Sequence, residues 1–298
     1  YLYQLLRPEI LGRNCRLGVG MVKTYGKIAL YILLIFVGSL TVFPFLWMVA
    51  TSFKTMGEVF RIPPSFTSST LFTERMWDNY RVVLYEHSFL RYVLNSVIVA
   101  GSAALGQLFT CSLGGFAFAR MKFRGKNIVF GTLLATMMIP VEVTIIPEYL
   151  MMLNLGWYNT YFPLIVPSML VGSFGTFLFR GFFENIPSSI EEAAFIDGAN
   201  PWQMFYKVFF PNAKPVSASL IIIAFMNNWN DLLRPVIYLE SNRLYTATMG
   251  LMQFKGAYGA QWHLLLAASV VSVIPLIIVY ISLQKYFVSG MLTSGSKG

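Results

Sequence analysis

The residues able to do chemistry are few and unevenly placed. Asn227, Asn228, Asn230 and Asp231 flank Trp229 near the end of an apolar run. Side-chain amides and a carboxylate can bond hydroxyls, and an indole face can stack on an apolar surface. Polar groups at membrane depth are costly and face a cavity or another helix. The cluster is therefore a candidate pathway contact. The competing reading, that these groups satisfy one another at a helix interface or sit at headgroup level, stays open. Glu142 and Glu148 lie in an earlier run beside Pro140 and Pro147. With Asp231 they could act as ion-coupling carboxylates, or they could stand solvated at an outer helix end.

Other chemistries find no support. Cys15 falls in a basic leader and Cys111 inside an apolar run, so neither a disulfide framework nor a metal site is implied. His87 and His263 have no ligand-spaced partners. No GxxxxGK[ST] phosphate cradle is present, so this chain is expected to hydrolyse no ATP and to hold no cofactor.

The elements that carry these residues are membrane helices. The chain is 56% hydrophobic and 12% charged, with a mean hydropathy of +0.61. A soluble domain would carry about 25% charged residues. Several runs exceed the roughly 20 residues that span a bilayer, and the ~10-residue alternating segments of a membrane β-barrel are absent. The sequence predicts an all-α polytopic protein with six spans, near residues 28–51, 92–119, 128–150, 160–182, 215–238 and 263–287. The second is rich in small residues (Gly101, Ser102, Ala103, Ala104, Gly106), which suits close packing around a pathway or ordinary membrane-helix composition equally. The run after the leader starts too late, and is too long, for a cleaved signal peptide. Tyr1 leaves the start of the chain open.

Charge sets the expected orientation. Of the 22 Lys and Arg, 14 fall on one side: in the leader (1–27), in "RMKFRGKN" (120–127), around residues 180–214, and in the tail (288–298) with Lys285 just before it. Five of the 13 acids join them, so the whole net charge of +9 sits there and the opposite side is neutral. By the positive-inside rule the basic side is cytoplasmic, with both termini inside. The charge is a topology signal, and nucleic-acid binding is not needed to explain it. Two segments lie outside, 52–91 and 239–262. The second mixes glycines with Tyr245, Phe254 and Tyr258, which could dock a protein partner or lie among headgroups.

Between the fourth and fifth spans the sequence turns polar: "IEEAAFIDGANPWQMFYKVFFP", 190–211. Ser189 to Glu192 reads as a capping box starting a helix from Ile190 to Asp197, about 12 Å long. Gly198 follows where a left-handed residue ends a helix. Asn200, Pro201 and Gln203 repeat the start signal, and Trp202, Phe205, Tyr206 and Phe209 form an apolar stripe before Pro211 stops the helix. A rigid helix pair on the water side either caps the bundle or docks a moving partner. In the second case Ala193 and Ala194 allow close approach, and Glu191, Glu192 and Asp197 offer carboxylates to basic groups.

That stretch resembles the EAA motif of bacterial ABC importer permeases, matched at Glu192, Ala193, Ala194, Asp197, Gly198, Ala199 and Pro211. Val208 and Phe210 stand where that motif usually has Ile and Leu. "FAFARMKFRGKN" (116–127), "MIPVEVTIIPEYLMMLNLGWYNT" (138–160), "WNDLLRPVIYL" (229–239) and "QKYFVSG" (284–290) are similar to the carbohydrate-uptake branch, specifically the second permease of maltose-type transporters. The resemblance implies a sugar or oligosaccharide importer of the bacterial inner membrane. Its expected partners are a homologous second permease, a dimer of ATPase subunits that use ATP and Mg, and an extracytoplasmic solute-binding protein. Residues 190–210 become the coupling helices to the ATPase. The loop with Thr246, Gln253, Phe254 and Tyr258 becomes the binding-protein contact. An ion-coupled secondary carrier is the alternative. It would show internal repeats and broken midplane helices, and no repeat is evident. A mere membrane anchor would not need six proline-bent spans.

Overall fold

A computed structural model describes residues 8–256 and 259–295, with side chains from 27 to 256 and from 260 to 286. The predicted all-α reading holds, apart from one two-residue ladder. Helix α1 (Pro8–Ser52) carries an apolar stretch, Lys27–Ser52, none of whose most apolar window is buried inside the protein. Side chains such as Ile35 and Phe36 point outward along it. Lipid is the only solvent that suits such a surface.

Helix α2 (Phe89–Arg120) is the central element, unbroken over 32 residues and about 48 Å long. It packs against α5 (Phe162–Met169), α6 (Ser173–Glu184) and α9 (Lys214–Asn230). Small residues make this possible. Ala100, Ala103 and Ala104 are buried, and a Cβ on Gly115 would sit 2.4 Å from Cβ of Phe179. A Cβ on Gly106 would likewise sit 2.3 Å from Cγ of Met169, while Gly101 has open space around it.

Four spans are single helical stretches by length and composition, counting α5 and α6 together; two more are sharply bent. The predicted third span divides into α3 (Lys126–Ala135, tightening to a 3₁₀ turn through Met138) and α4 (Val141–Asn154), bent by 101°. Proline disfavours helical backbone in the residue before it, and Ile139, before Pro140, is extended at φ −87°, ψ 114°. The predicted fifth span, 215–238, stops at Asn230. Asp231 is extended at ψ 124° and a separate short helix α10 (Leu233–Tyr238) follows. The fourth also breaks, between Met169 and Ser173.

The polar stretch forms α7 (Ser188–Ile196) and α8 (Pro201–Asn212), and α8 meets α9 at a 79° bend. After α10 come α11 (Ala247–Gln253), an antiparallel ladder of β1 (Lys255–Gly256) with β2 (Gly259–Ala260), and α12 (Trp262–Gly295), which continues past the predicted tail boundary.

Segment 52–91 is folded by polar contacts as well as by apolar packing, with Val83 and Phe89 in a buried cluster and the Phe53, Trp77 and Tyr80 rings in mutual contact. Asn79 Nδ2 donates to the carbonyls of Ser52 (2.8 Å) and Lys54 (2.9 Å), satisfying the end of α1. Glu58 accepts from the amides of Thr55 (3.0 Å) and Ser69 (2.8 Å) and from Ser68 Oγ (2.9 Å). The buried Lys54 ammonium donates to the Ser65 carbonyl and lies 4.4 Å from the Trp47 ring centroid.

Candidate functional site

Three regions carry the predicted residues, and α2 joins them. The first is the α7–α8 pair. Residue by residue, α7 does not start as the sequence suggests. Its N-cap is Pro187, and Ser189 lies inside the helix with no capping box. The helix begins two residues earlier because Pro187 is extended (ψ 138°) and leaves Ser188 free to enter it. Its end matches the expectation. Gly198 has φ +79°, its N–H donates to Phe195 O (3.0 Å), and Ala199 N–H donates to Ala194 O (3.0 Å). This is a Schellman turn, which a left-handed glycine makes without strain. Ala194 and Ala199 pack beside the same buried cluster, so two of the motif alanines close the turn itself.

α8 starts with the predicted box: Gln203 N–H donates to Asn200 Oδ1 (2.8 Å) and Asn200 N–H to Gln203 Oε1 (3.0 Å). Its stripe divides. Phe205 and Phe209 are buried with Phe116, Phe179 and Phe183, while Trp202 and Tyr206 remain exposed. A π-turn over Met204–Phe209 rotates the stripe. Pro211 does not stop the helix; it lies in the last turn before the bend at Ala213.

Arg120, the last residue of α2, locks the pair in place. Its guanidinium donates to the carbonyls of Phe183 and Ile186, reaches Glu191 Oε2 at 3.2 Å, and lies 5.1 Å from the Phe209 ring centroid. Glu191 is therefore paired within the chain, with 30% of its side chain still exposed. Glu192, Ala193 and Asp197 are exposed. So are Phe195 (73%) and Ile196 (84%), which the sequence reading passed over. The available signal was two large apolar residues in a short polar helix. A cleft of about 640 Å³ opens here between Arg120, Lys122, Glu191, Glu192, Phe195 and Met204.

The second region is a pair of adjoining clefts, about 470 and 290 Å³, that share Asn227, Asp231 and Arg234. All three helix breaks open onto them: Val141 after the α3–α4 break, Leu170 to Gly172 between α5 and α6, and Asp231 between α9 and α10. Backbone that leaves a helix at membrane depth is tolerated where it lines a cavity or is buried in protein. Asn227, Asn228, Asn230 and Asp231 line this space, as does Gln107 from the middle of α2. Trp229 does not. It is 2% exposed and stacks on Phe225 at 5.4 Å, so its ring face is not free for a ligand. Asn228 Nδ2 also donates to Ala224 O at 2.8 Å.

At the far end of α2, two residues of the expected partner loop are buried. Thr246 is 3% and Phe254 1% exposed, and Phe254 packs on His87 and Phe89. That corrects their placement as partner contacts. Gln253 is exposed and donates to Asn242 Oδ1 at 3.0 Å; Tyr258 lies outside the described residues. A further cleft, about 700 Å³, lies between segment 52–91 and the start of α12, lined by Lys54, Arg75, Asp78 and His263, and contains none of the predicted site residues. Among the described residues no group of His, Cys, Asp or Glu could hold a metal ion.

Residues 111–293 match the family described as "Binding-protein-dependent transport system inner membrane component". The arabinooligosaccharides transport system permease protein AraQ of Halalkalibacterium halodurans is 32% identical over 266 residues, 88% of this chain and 94% of AraQ. The sn-glycerol-3-phosphate transport system permease protein UgpE of Salmonella typhi is 33% identical over 241 residues, 79% of this chain and 85% of UgpE. The crystal structure of a bacterial ABC transporter involved in the import of the acidic polysaccharide alginate shares the fold. Its TM-score is 0.75 at 24% identity, over 89% of this chain and 97% of that one. The chain belongs to the binding-protein-dependent transport system inner membrane components, and is a multi-pass permease subunit of that family.

Proposed function

We propose that this chain is one of two permease subunits of an ATP-driven importer for a sugar or oligosaccharide. It forms half of the translocation pathway and couples it to a separate ATPase. The observation that carries the coupling reading is the α7–α8 pair. It is fixed to the bundle by Arg120 and closed by a Schellman turn, yet it turns Phe195, Ile196 and Glu192 outward. Exposed apolar residues beside a carboxylate suit a cleft on a soluble partner. A short packed pair moves as a unit because close-packed interiors do not deform continuously.

The basic end with Arg120 and Lys122 is taken as cytoplasmic, which puts both termini there. Segments 52–91 and 239–261 then face a solute-binding protein, with Gln253 as the accessible contact. The adjoining clefts around Asn227 are this chain's wall of the pathway. AraQ and related permeases support a saccharide as cargo.

The test is purification of the assembled protein from its own host. An ATP-binding chain and a second permease are expected to co-purify. Glu192→Ala combined with Phe195→Ser should release the ATPase and retain the second permease. A solitary chain that takes up its substrate on a proton or sodium gradient without ATP overturns the proposal in favour of an ion-coupled carrier.

A further inference from the structure

Permeases of this fold handle cargo of different charge: arabinooligosaccharides are neutral, while glycerol phosphate and alginate are acidic. The clefts where the three breaks meet bear on that choice. Their polar lining is mostly uncharged: Gln107, Asn227, Asn228 and Asn230. Two charged residues also line them, Asp231 and Arg234. Among the described lining residues Arg234 is the only basic one, and one carboxylate lies at its side chain and another at its backbone. Its backbone N–H donates to Asp231 Oδ1 at 3.3 Å, and its guanidinium lies 4.0 Å from Glu148 Oε1. Glu148 is largely buried, with 13% of its side chain exposed, so solvent screens that charge weakly. Asp231 is held in place by its backbone as well, since Thr248 Oγ1 donates to its carbonyl at 2.8 Å.

The local balance is two carboxylates against one guanidinium. An entering anion meets a cation whose charge Glu148 already offsets, with the Asp231 carboxylate beside it. A hydroxyl-rich neutral molecule meets amides that can both donate and accept. We infer that this wall of the pathway is selective for uncharged, hydroxyl-rich cargo, a neutral saccharide, and turns anionic cargo away. The inference rests on the clefts being the pathway wall, as proposed above.

A reporter cysteine distinguishes the two layers. Leu233 lines the same space with an apolar, 42% exposed side chain, so Leu233→Cys is introduced into the full transporter. Its labelling by an uncharged maleimide is followed with a neutral disaccharide series (lactose, arabinobiose, diacetylchitobiose), with sn-glycerol 3-phosphate and with a uronate disaccharide. A neutral sugar at about four times its Kd should slow labelling about five-fold. The anions should bind at least about tenfold more weakly, given a carboxylate within contact range at an effective dielectric near 20. Adding Asp231→Asn should narrow that gap. Protection by an anion equal to or stronger than that by every neutral sugar overturns the inference. Protection by none of them also overturns it, because the clefts are then not a cargo surface. ATP-dependent uptake by the same preparation separately reports whether the permease reading survives.

Discussion

Arg120 Nη1 lies 3.2 Å from Glu191 Oε2, although 71 residues separate them. The pair joins the last turn of α2 to the first turn of α7. The same guanidinium satisfies the carbonyls of Phe183 and Ile186 at the end of α6. One side chain thus ties three elements at the base of the α7–α8 pair.

Replacing Arg120 with alanine removes this tie and leaves buried acceptors unpaired. The expected cost is roughly 3 kcal/mol, read as a lower thermal midpoint for the purified complex. Uptake should fall further than stability does, with ATP hydrolysis no longer tied to substrate. Arg120→Lys keeps the charge but not the planar fork and should restore little. Glu191→Gln, which can still accept a hydrogen bond, should be the mildest of the three. Wild-type coupling in Arg120→Ala would show that the tie is dispensable.

Gly198 separates backbone strain from steric fit. A Cβ there meets nothing within 4 Å, so only its φ of +79° resists substitution. Gly198→Asn, whose side chain tolerates the left-handed region, should keep coupled transport. Gly198→Val should lose about 1–2 kcal/mol and uncouple ATP hydrolysis from uptake. Equal behaviour of the two variants would remove the Schellman turn from the account.

Gly115 makes the opposite case, because there the space decides. Alanine would overlap Phe179 Cβ and crowd the Arg180 amide, whereas alanine at Gly101 enters open space. Gly115→Ala should destabilise by about 1–3 kcal/mol and Gly101→Ala should be neutral. Thermal unfolding in detergent compares them directly.

Glu58 supplies a pH dependence in segment 52–91. Burial raises its pKa, but hydrogen bonds from Ser69, Thr55 and Ser68 outweigh it and hold the carboxyl down to about 2, against an ordinary value of 4.5. A depressed folded pKa contributes stability that is full above the unfolded pKa and is lost as pH falls through the folded one. The segment should therefore be unchanged from pH 7 to 5 and loosen progressively between about 4.5 and 2. Hydrogen exchange at the Thr55 and Ser69 amides reads this, and Glu58→Gln should abolish the pH dependence.

What the sequence made legible was mostly local. Six apolar runs, the Asn200–Gln203 box and the left-handed Gly198 all depend on neighbours within a few residues. The capture of Glu191 by Arg120 does not, since no local pattern marks a contact made through tertiary packing. The Ser189–Glu192 box failed for a related reason: with Pro187 as the N-cap, both residues fall inside the helix. Trp229 was misassigned although a signal existed. Phe225 and Trp229 are four apart and share a helix face, whereas Asn227 and Asn230 fall on another. Reading that period separates the buried ring from the lining amides. The breaks at Pro140 and Asp231 were hidden inside apolar runs, where composition favours continuity; the backbone preference before proline argues against it at Pro140 alone.

The unbroken α2 has a mechanical corollary. Its Arg120 end is bolted to the α7–α8 pair, and its Phe89 end is clasped by Phe254, while Tyr92 donates to Asn242. A rod about 48 Å long that pivots by 5° near its middle swings each tip by about 2 Å, in opposite senses. A nudge at the Arg120 end and a grip at the Phe89 end are then two hands on one see-saw, and neither can shift without the other registering it.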